Sequence, residues 1–354
     1  MRYHTLARLA EARYCVALMV TIREVAKEAG VSQATAARAL GEYGYVSEAA
    51  RQAVHEAASR LKYRLNVAAR TLASGTSNMV GFVAGDIENA FFSAAARGLA
   101  DVVEDFGYTL VIANSDEDAD RERREVATLQ EYGVDGLVVA PSDSSMGEHL
   151  AEASEAGLPI VLIDRTVRGL QVDSVVSDGA MGTTLAIQHL LQHGHRRIGM
   201  IIDYMGVPLS SLTMRTKAWR DTLKAAGLKA DDTLLATMAV PLDDGYGATN
   251  SLLDQKNPPT AIFTGSNFAT FGALRAIRDR GMSMPDDLSL IAFDDADWFG
   301  LYVPPITAVA QPVRELGRHA GKLLLARMQG DESKANRIRL ATDLLIRGSV
   351  GPRQ

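Results

Sequence analysis

Several polar side chains directly follow short apolar runs, a position at which the strands of a parallel sheet place ligand-binding groups. Asp164 ends the run LPIVLID, Asp294 ends LSLIAFD, and Ser266 follows TAIFTG. Ligands of open parallel sheets bind beyond the carboxyl ends of the strands. These two carboxylates and this hydroxyl are therefore candidates for holding a polar ligand by hydrogen bonds, which are charge-assisted at the carboxylates.

Three other kinds of chemistry have weaker support. His189, His193 and His195 suggest a metal site, but only the first two share a helical face, so we expect no metal. The G-x-x-x-G at 81–85 lacks the Lys-Ser/Thr end that binds phosphate and magnesium, and no serine lies in a G-x-S-x-G motif. We therefore expect no catalytic residues, no cofactor and no enzymatic activity.

Residues 21–40, TIREVAKEAGVSQATAARAL, have the pattern of two short helices joined by a tight turn. Thr21 and Glu24 have the spacing of a capping box, and Ser32 is a favourable cap for the second helix. Gly30 permits the left-handed backbone with which the first helix would end. This is the layout of a helix-turn-helix, whose second helix enters the major groove of DNA. An ordinary αα-hairpin has the same local pattern, so the stretch alone leaves both interpretations open.

A third helix is predicted after Ser47, a favourable N-cap that is followed by Glu48 in the first turn. Three helices within about 45 residues would form a small domain. Its predicted core consists of Val25, Ala29, Val31, Leu40, Val54 and Leu61.

Charge is unevenly distributed along the chain, although the net charge is only −6. Residues 1–78 contain 11 Lys and Arg against 6 Asp and Glu, whereas residues 79–354 contain 26 against 37. A small basic module on a large acidic body fits a DNA-binding unit joined to a domain that does not bind DNA. This distribution favours the helix-turn-helix over the core hairpin.

The first 18 residues resemble a signal peptide only superficially, because charged residues interrupt them and their apolar run is short. We expect 1–18 to be an extension outside the folded unit, with Met19 as a possible true start. The single cysteine, Cys15, allows no disulfide within the chain and fits a reducing cytoplasm. No stretch is long and apolar enough for a membrane span.

From residue 79 onwards, short apolar runs alternate with helical stretches, which predicts a doubly wound parallel α/β sheet. About seven βα units with continuously apolar strands fit two such sheets better than one. The predicted helices cover 91–106, 120–132, 146–156, 179–192, 214–226, 248–255 and 269–280. The expected fold is an N-terminal all-α helix-turn-helix domain followed by an α/β body.

The order of motifs over about 21–347 resembles the LacI/GalR family of transcriptional regulators. The resemblance rests on the stretch at 21–40 and on GYVSEAAR, NVAARTLASG, ENAFFSAAARGLADVVEDFGYTLVIANS, VDGLVVAP, LPIVLIDR, HLLQHGHRRIGMI, PTAIFTGSN, IAFDD and PPITAVAQP. It implies a homodimeric repressor on a two-fold symmetric operator in double-stranded DNA. It also implies two lobes like those of periplasmic sugar-binding proteins, with a small-molecule effector, a sugar or sugar derivative, in the cleft between them.

The resemblance assigns DNA contacts to the second helix. Gln33 and Ala34 stand at the base-reading pair, and Arg38 stands at another position that contacts a base edge. Arg with guanine and Gln with adenine are favourable pairings, whereas Ala34 can only pack against a thymine methyl. The operator should therefore differ from those of relatives. Thr35 and Ser47 match phosphate contacts, with capping and turn formation as the structural alternative.

Residues 66–77 match the hinge helix of such repressors, in which Asn66 and Leu72 are the implied DNA-contact positions. Leu72 matches the leucine wedged into the minor groove at the operator centre. So short a helix is marginal alone and would fold when two hinges meet on DNA. Leu65 replaces the usual proline, so the backbone that leads into the hinge is less restricted. Docking of Leu72 on the body is the structural alternative.

The implied effector site combines two aromatic rings, two strand-end carboxylates, one arginine and two neutral polar groups. The carboxylates and the arginine would hold sugar hydroxyls by charge-assisted hydrogen bonds. Arg165 leaves a single phosphate or carboxylate possible, whereas a multiply phosphorylated effector is less favoured. The seven residues are Phe91, Phe92, Asp164, Arg215, Ser266, Asp294 and Gln311.

These motifs give the expected domain boundaries. They are a helix-turn-helix domain at 19–65, a hinge at 66–77, a body at 78–347 and a tail at 348–354. Within the body, the first lobe covers about 78–176 and 311–336, and the second about 177–308 and 338–347. The tail has no leucine heptads, so a dimer is expected rather than a tetramer. We expect a cytoplasmic, nucleoid-associated protein with no membrane partner; an exported sugar receptor would have no use for a basic helix-turn-helix.

Overall fold

The structure is a computed structural model that describes residues 20–41, 44–63, 75–203, 206–238 and 244–353. The chain divides into two compact units, Met1–Asn78 and Met79–Gln354. Within the described ranges, no helix combines the length and the apolar character needed to cross a membrane.

The described part of the first unit contains three helices with the predicted caps. They are α1 (Ile22–Glu28), α2 (Gln33–Gly41) and α3 (Glu48–Arg60). The Thr21 backbone N–H donates to Glu24 Oε2 at 2.7 Å, and the Thr35 N–H donates to Ser32 Oγ at 3.1 Å. Gly30, between α1 and α2, has a φ of 67°, the left-handed conformation that glycine adopts without a Cβ clash. The predicted helix-turn-helix geometry is therefore present.

The core of this unit is built mainly from small residues. Val25 and Val54 are fully buried as predicted, whereas Ala29, Val31, Leu40 and Leu61 are only partly buried and pack around the edge. Alanines allow three short helices to approach closely, so they form much of the core for which the prediction relied on larger side chains at other positions. The further buried members are Ala26, Ala36, Ala39, Val46, Ala57 and Ala58.

The second unit contains a first lobe built on a fully parallel six-stranded sheet. Its strands are β1 (Met79–Ala84), β2 (Thr109–Asn114), β3 (Gly136–Val139), β4 (Ile160–Ile163), β5 (Asp173–Ser177) and β11 (Arg337–Leu340). Their order across the sheet is β11-β5-β4-β3-β1-β2. Helices α4 (Ala90–Val103) and α11 (Val313–Met328) cover one face, and α5 (Ala119–Glu131) and α6 (Glu148–Glu155) cover the other.

The second lobe repeats this plan with one antiparallel edge strand. Its strands are β6 (Ile198–Asp203), β7 (Leu235–Met238), β8 (Ala261–Thr264), β9 (Ser289–Phe293), β10 (Thr307–Ala310) and β12 (Asp343–Leu345). They lie in the order β12-β10-β9-β8-β6-β7, and only β12 is antiparallel to its neighbour. Helices α7 (Gly179–Gln192) and α8 (Ser210–Ala225) cover one face, and α9 (Asp244–Leu253) and α10 (Asn267–Asp279) cover the other. Short 3-10 turns lie at Glu104–Phe106, Asp232–Leu234 and Asp297–Gly300.

The chain crosses between the lobes three times, from β5 to α7, from β10 to α11 and from β11 to β12. The prediction placed 338–347 in the second lobe, and this boundary is corrected by the structure. Ile338 lies opposite Val175 of β5, so β11 belongs to the first sheet and the chain crosses only after Leu340. The short strand alternates arginines with apolar residues and gave no continuous apolar run to recognise.

Residues 348–353 pack on the second lobe, although the sequence suggested a separate tail. Ser349 is fully buried and accepts a hydrogen bond from the Thr307 N–H at 2.9 Å. His195 holds the same segment: its Nε2 lies 3.1 Å from the Gly351 carbonyl oxygen and its Nδ1 lies 2.9 Å from Thr260 Oγ1. Both ring nitrogens of His195 therefore have protein partners, which favours the structural role over metal binding.

Helices α4 and α11 approach so closely that glycine is required where they meet. A Cβ on Gly317 would lie 2.0 Å from the Ala95 carbonyl oxygen, and a Cβ on Gly98 would lie 2.0 Å from that of Arg314. Because both obstacles are backbone atoms, an alanine at either position would force the helices apart.

We predict that Gly317→Ala lowers the free energy of unfolding of the second unit by about 1–3 kcal/mol through overpacking. Gly247→Ala is the matched control, because Gly247 is an exposed residue of α9 with no atom within 4 Å of the added Cβ. Helix propensity alone should make the control neutral or more stable by up to about 1 kcal/mol. Equal effects of the two substitutions in urea-induced unfolding would contradict the close approach.

Candidate functional site

The second helix of the first unit buries one face and exposes the other. Ala36 and Ala39 are fully buried, whereas Gln33, Ala34 and Arg38 are exposed. The predicted base-reading residues therefore share the open face of α2. A helix held by its alanine face and exposing an arginine and a glutamine matches what major-groove recognition needs.

The predicted phosphate contacts also have structural roles. Thr35 is partly buried and its Oγ1 lies 2.9 Å from Ser32 Oγ, within the cap of α2. Ser47 is exposed and its Oγ accepts from the Ala50 N–H at 3.4 Å, which makes it the cap of α3. The hinge positions Asn66 and Leu72, and Leu65 before them, lie outside the described residues.

In the second unit, all seven predicted effector residues line one cavity between the two lobes. Its space free of atoms, counted to where it opens to solvent, is about 580 Å³. The further lining residues are Asp86, Asn89, Glu117, Arg165, Asp203, Leu209, Ser211, Leu212 and Phe268.

The cavity lies at the carboxyl ends of strands from both sheets. Asp164 follows β4 of the first lobe, and Asp294 follows β9 of the second. Both have left-handed backbones, with φ values of 66° and 74°, a conformation that aspartate tolerates better than most residues. The two lobes thus present equivalent strand-end carboxylates to one cavity, as the apolar runs of the sequence predicted.

Arg215 of α8 is the cation that faces these carboxylates. Its guanidinium stacks on the Phe293 ring at 3.7 Å and its Nη1 donates to the Gly265 carbonyl oxygen at 2.7 Å. Only 5% of the residue is exposed, and its buried Nε has no hydrogen-bond partner in the described part of the chain. A buried donor without a partner is costly, so this N–H is an unsatisfied group at the edge of the site.

The second arginine of the cavity, Arg165, is paired with carboxylates of the protein. Its Nη2 donates to Glu117 Oε1 at 2.7 Å, and its Nη1 donates to the other oxygen of the same carboxylate. Its Nη1 also contacts the Pro141 carbonyl oxygen at 3.1 Å, and its Nε forms an ion pair with Asp164 Oδ2 at 3.0 Å. This pairing weighs against the phosphate or carboxylate that the sequence left possible at Arg165.

Asp203, the last residue of β6, is a cavity residue that the sequence analysis did not select. Its Oδ1 accepts from Ser266 Oγ at 2.8 Å. Burial, opposed by the Ser266 hydrogen bond and the charge of Arg215, raises its pKa to about 6. Burial likewise raises the pKa of Asp164 and of Asp294, against the opposing charges of nearby arginines. Carboxylates thus outnumber arginines among the residues that line the cavity.

Polar contacts between the lobes surround the cavity. Asn267 Nδ2 donates to Asn89 Oδ1 at 3.0 Å at one place. At another, Ser210 Oγ accepts from the Thr166 N–H at 3.0 Å, and the Ser210 N–H donates to Ser144 Oγ at 2.9 Å. At the second crossing, Ser177 Oγ donates to Gln311 Oε1, and Gln311 Nε2 donates to Asp294. The lobes are therefore held together mainly by hydrogen bonds between neutral groups, which are weak individually, and Gln311 adds a charge-assisted bond to Asp294.

The sequence comparison decides the family. The HTH-type transcriptional regulator PtxS of Pseudomonas aeruginosa is 36% identical over 344 residues, which cover 94% of this chain and 96% of the relative.

The chain belongs to the LacI family.

The model of the family described as "Bacterial regulatory proteins, lacI family" matches residues 21–66, and that of the "Periplasmic binding protein-like domain" matches 187–350. The protein is accordingly a DNA-binding transcriptional regulator, with the fold predicted from its sequence.

Solved structures of regulators resemble the chain. The regulator CelR in complex with cellobiose is 29% identical, with a TM-score of 0.71 over 93% of this chain and 99% of the other. A LacI family regulator from Enterococcus faecium with bound ribose is 30% identical, with a TM-score of 0.70 over 78% of this chain and 100% of the other.

The raised pKa of Asp203 has a consequence for stability. The folded state holds the carboxyl proton of Asp203 more tightly than the unfolded state does. The contribution of Asp203 to the free energy of unfolding is therefore most favourable below about pH 4 and is lost as pH rises through about 6. The raised pKa corresponds to about 3 kcal/mol at most at pH 7.

We predict that Asp203→Asn stabilises the ligand-free second unit relative to the wild type at about pH 7 but not at about pH 4. Urea-induced unfolding across this range measures the difference. Glu88→Gln, at an exposed position before α4, is the control for general loss of negative charge. A difference between Asp203→Asn and wild type that does not change with pH would contradict the buried, proton-binding state.

Proposed function

We propose that the protein is a homodimeric repressor, acting in the cytoplasm on the nucleoid, whose affinity for a two-fold symmetric operator is set by a sugar or sugar derivative in the cavity between the lobes. The observation that carries the proposal is the convergence of all seven predicted effector residues on that cavity. The cellobiose and ribose complexes of related regulators support a sugar as the ligand class. We propose no enzymatic activity.

On the DNA side, α2 would lie in the major groove. Arg38 would donate to the two acceptors of a guanine, Gln33 would pair with an adenine, and Ala34 would pack against a thymine methyl. Thr35 and Ser47 would contact phosphates and set the register of the helix without selecting bases. Asn66 and Leu72 would contact the operator centre through the hinge, where a leucine wedge bends DNA.

On the effector side, the cavity offers matched groups for a polyhydroxylated ring. Asp164 and Asp294 can accept from hydroxyls, and Arg215 Nε can donate to a hydroxyl oxygen. The Phe91 and Phe92 rings, whose centroids lie 5.2 Å apart at 85°, can cover the apolar face of the ring. A ligand held from both sides would favour one relative arrangement of the lobes over others.

Coupling to DNA would follow from the three crossings between the lobes. A ligand that binds one arrangement more tightly shifts the population toward it, and through the hinges this would alter operator affinity. A coupling of about 1–3 kcal/mol suffices to change that affinity by about 5–150-fold.

We predict that Arg38→Ala weakens operator binding by about 1–3 kcal/mol and relaxes base preference at one position in each half-site. Selection of binding sites from random DNA measures the preference, and fluorescence anisotropy measures the affinity. Arg60→Ala is the charge-matched control, because Arg60 is exposed at the end of α3, beside Glu28 at 3.5 Å. An unchanged selection profile for Arg38→Ala would contradict its role as a base-contacting residue.

We predict that a sugar found by thermal unfolding of the wild type no longer stabilises Arg215→Gln and no longer changes its operator affinity. Ligand at about 100 times its Kd should stabilise the wild type by about 2.7 kcal/mol. Lys217→Gln is the control on the same helix, since Lys217 is exposed and pairs with Asp221. If Arg215→Gln folds and responds like the control, the cavity is not the effector site.

A further inference from the structure

The cavity between the lobes contains more carboxylates than its arginines can neutralise. Glu117 and Arg165 form a bidentate pair, and Asp164 lies in an ion pair with the same guanidinium. This leaves Arg215 as the cation for the remaining acidic groups. The five lining carboxylates are those of Asp86, Glu117, Asp164, Asp203 and Asp294.

Asp203 and Asp294 are half-buried carboxylates of the second lobe that line the cavity, and neither has an ion-pair partner among the described residues. Asp203 accepts from Ser266 Oγ, and Asp294 accepts from Gln311 Nε2; both donors are neutral. Arg215 acts on both through its charge, but its Nη1 is directed to a backbone carbonyl and its guanidinium stacks on an aromatic ring. Carboxylates in a cleft shielded from water are normally paired, so a further cation or a proton would stabilise these two.

We propose that the effector carries a protonated amino group on a polyhydroxylated frame, as in an amino sugar, and that Asp203 and Asp294 together bind its ammonium group. The inference rests on the proposed function of the cavity as the effector site and narrows its ligand class. An ammonium group offers three N–H donors and one positive charge, which matches two carboxylates that each already have one neutral donor. The hydroxyls of the same ligand supply the acceptor for the unpartnered Arg215 Nε.

Neutral and anionic sugars would leave the negative charge of Asp203 and Asp294 uncompensated. A neutral sugar adds hydrogen bonds to Asp203 and Asp294 but no charge, so one of them would have to bind a proton from solvent. An anionic sugar acid or sugar phosphate adds repulsion, because Arg165 is occupied by Glu117 and Asp164. The charges that face Asp203 are Arg215 of α8, Asp294 after β9 and Glu117 after β2, of which only the first is a cation.

Calorimetric titration of the full chain with matched sugars tests the inference. The probes are D-glucosamine, D-galactosamine and D-mannosamine, each with its parent hexose and its N-acetyl derivative. The parent hexose has the same ring without the charge, and the N-acetyl derivative has the nitrogen without the charge. We expect one amino sugar to bind at least about tenfold more tightly than both of its uncharged partners, the scale of a hydrogen bond to a charged group.

Two further measurements use the same probe. Asp203→Asn preserves the shape of the side chain and the acceptor for Ser266 but removes the charge. It should weaken binding of the amino sugar by about tenfold or more and should leave binding of the parent hexose no weaker. In the wild type, affinity for the amino sugar should rise from about pH 5 to about pH 7, because the ammonium binds the ionised form of Asp203. Glu88→Gln should change neither result.

The outcomes separate the two levels of the proposal. Parent hexoses that bind as tightly as the amino sugars, or amino-sugar binding that Asp203→Asn leaves unchanged, would overturn the ammonium site while leaving a sugar as effector. If none of the three groups binds and no sugar alters operator affinity, both the ammonium site and the proposed sugar effector are overturned. Affinity for the amino sugar that falls as pH rises would also contradict the inference.

Discussion

The cavity between the lobes is organised around one buried guanidinium, that of Arg215. It lies flat on Phe293, donates to a backbone carbonyl of its own lobe, and lowers the pKa values of carboxylates from both lobes against the effect of burial. Without this cation, strand-end aspartates from two sheets could not share one cavity in the ionised state. We therefore propose that the arrangement of the lobes and the affinity for a ligand depend on the same electrostatic balance, so that a bound ligand would change the relative arrangement of the lobes.

Much of this structure could be predicted from the sequence. The alternation of apolar runs and helices was sufficient for the fold class, and all seven predicted helices of the body are present within a few residues. The five strands β5, β7, β10, β11 and β12 were not predicted, because they are three to five residues long and several contain polar residues. Helix α11 was not predicted either, and it closes the first lobe after the chain has already built the second. The expected boundaries nevertheless assigned 311–336 to the first lobe, and the buried Leu316, Ala320 and Leu324 lie at helical spacing.

The predicted effector residues also show what local sequence patterns can and cannot identify. Asp164 and Asp294 could be selected because they end apolar runs, and the same rule applied to IGMIID would have found Asp203. Glu117 could not be found in this way, since its importance comes from Arg165, which is 48 residues away in sequence and adjacent only in the folded lobe. The histidines at 189–195 were predicted to be structural rather than metal ligands, but their role could not be specified, because His195 contacts Gly351 of a segment that the sequence suggested was a tail.

We infer that one equilibrium links the cavity to the operator. Calorimetric titration of the effector into the free protein and into the protein saturated with operator DNA tests this inference. Thermodynamic reciprocity requires the ratio of the two effector Kd values to equal the ratio of the operator Kd values measured with and without effector. We expect both the ratio of effector Kd values and the ratio of operator Kd values to differ from one by at least about fivefold. An effector that binds the cavity with the same Kd in both states would contradict it.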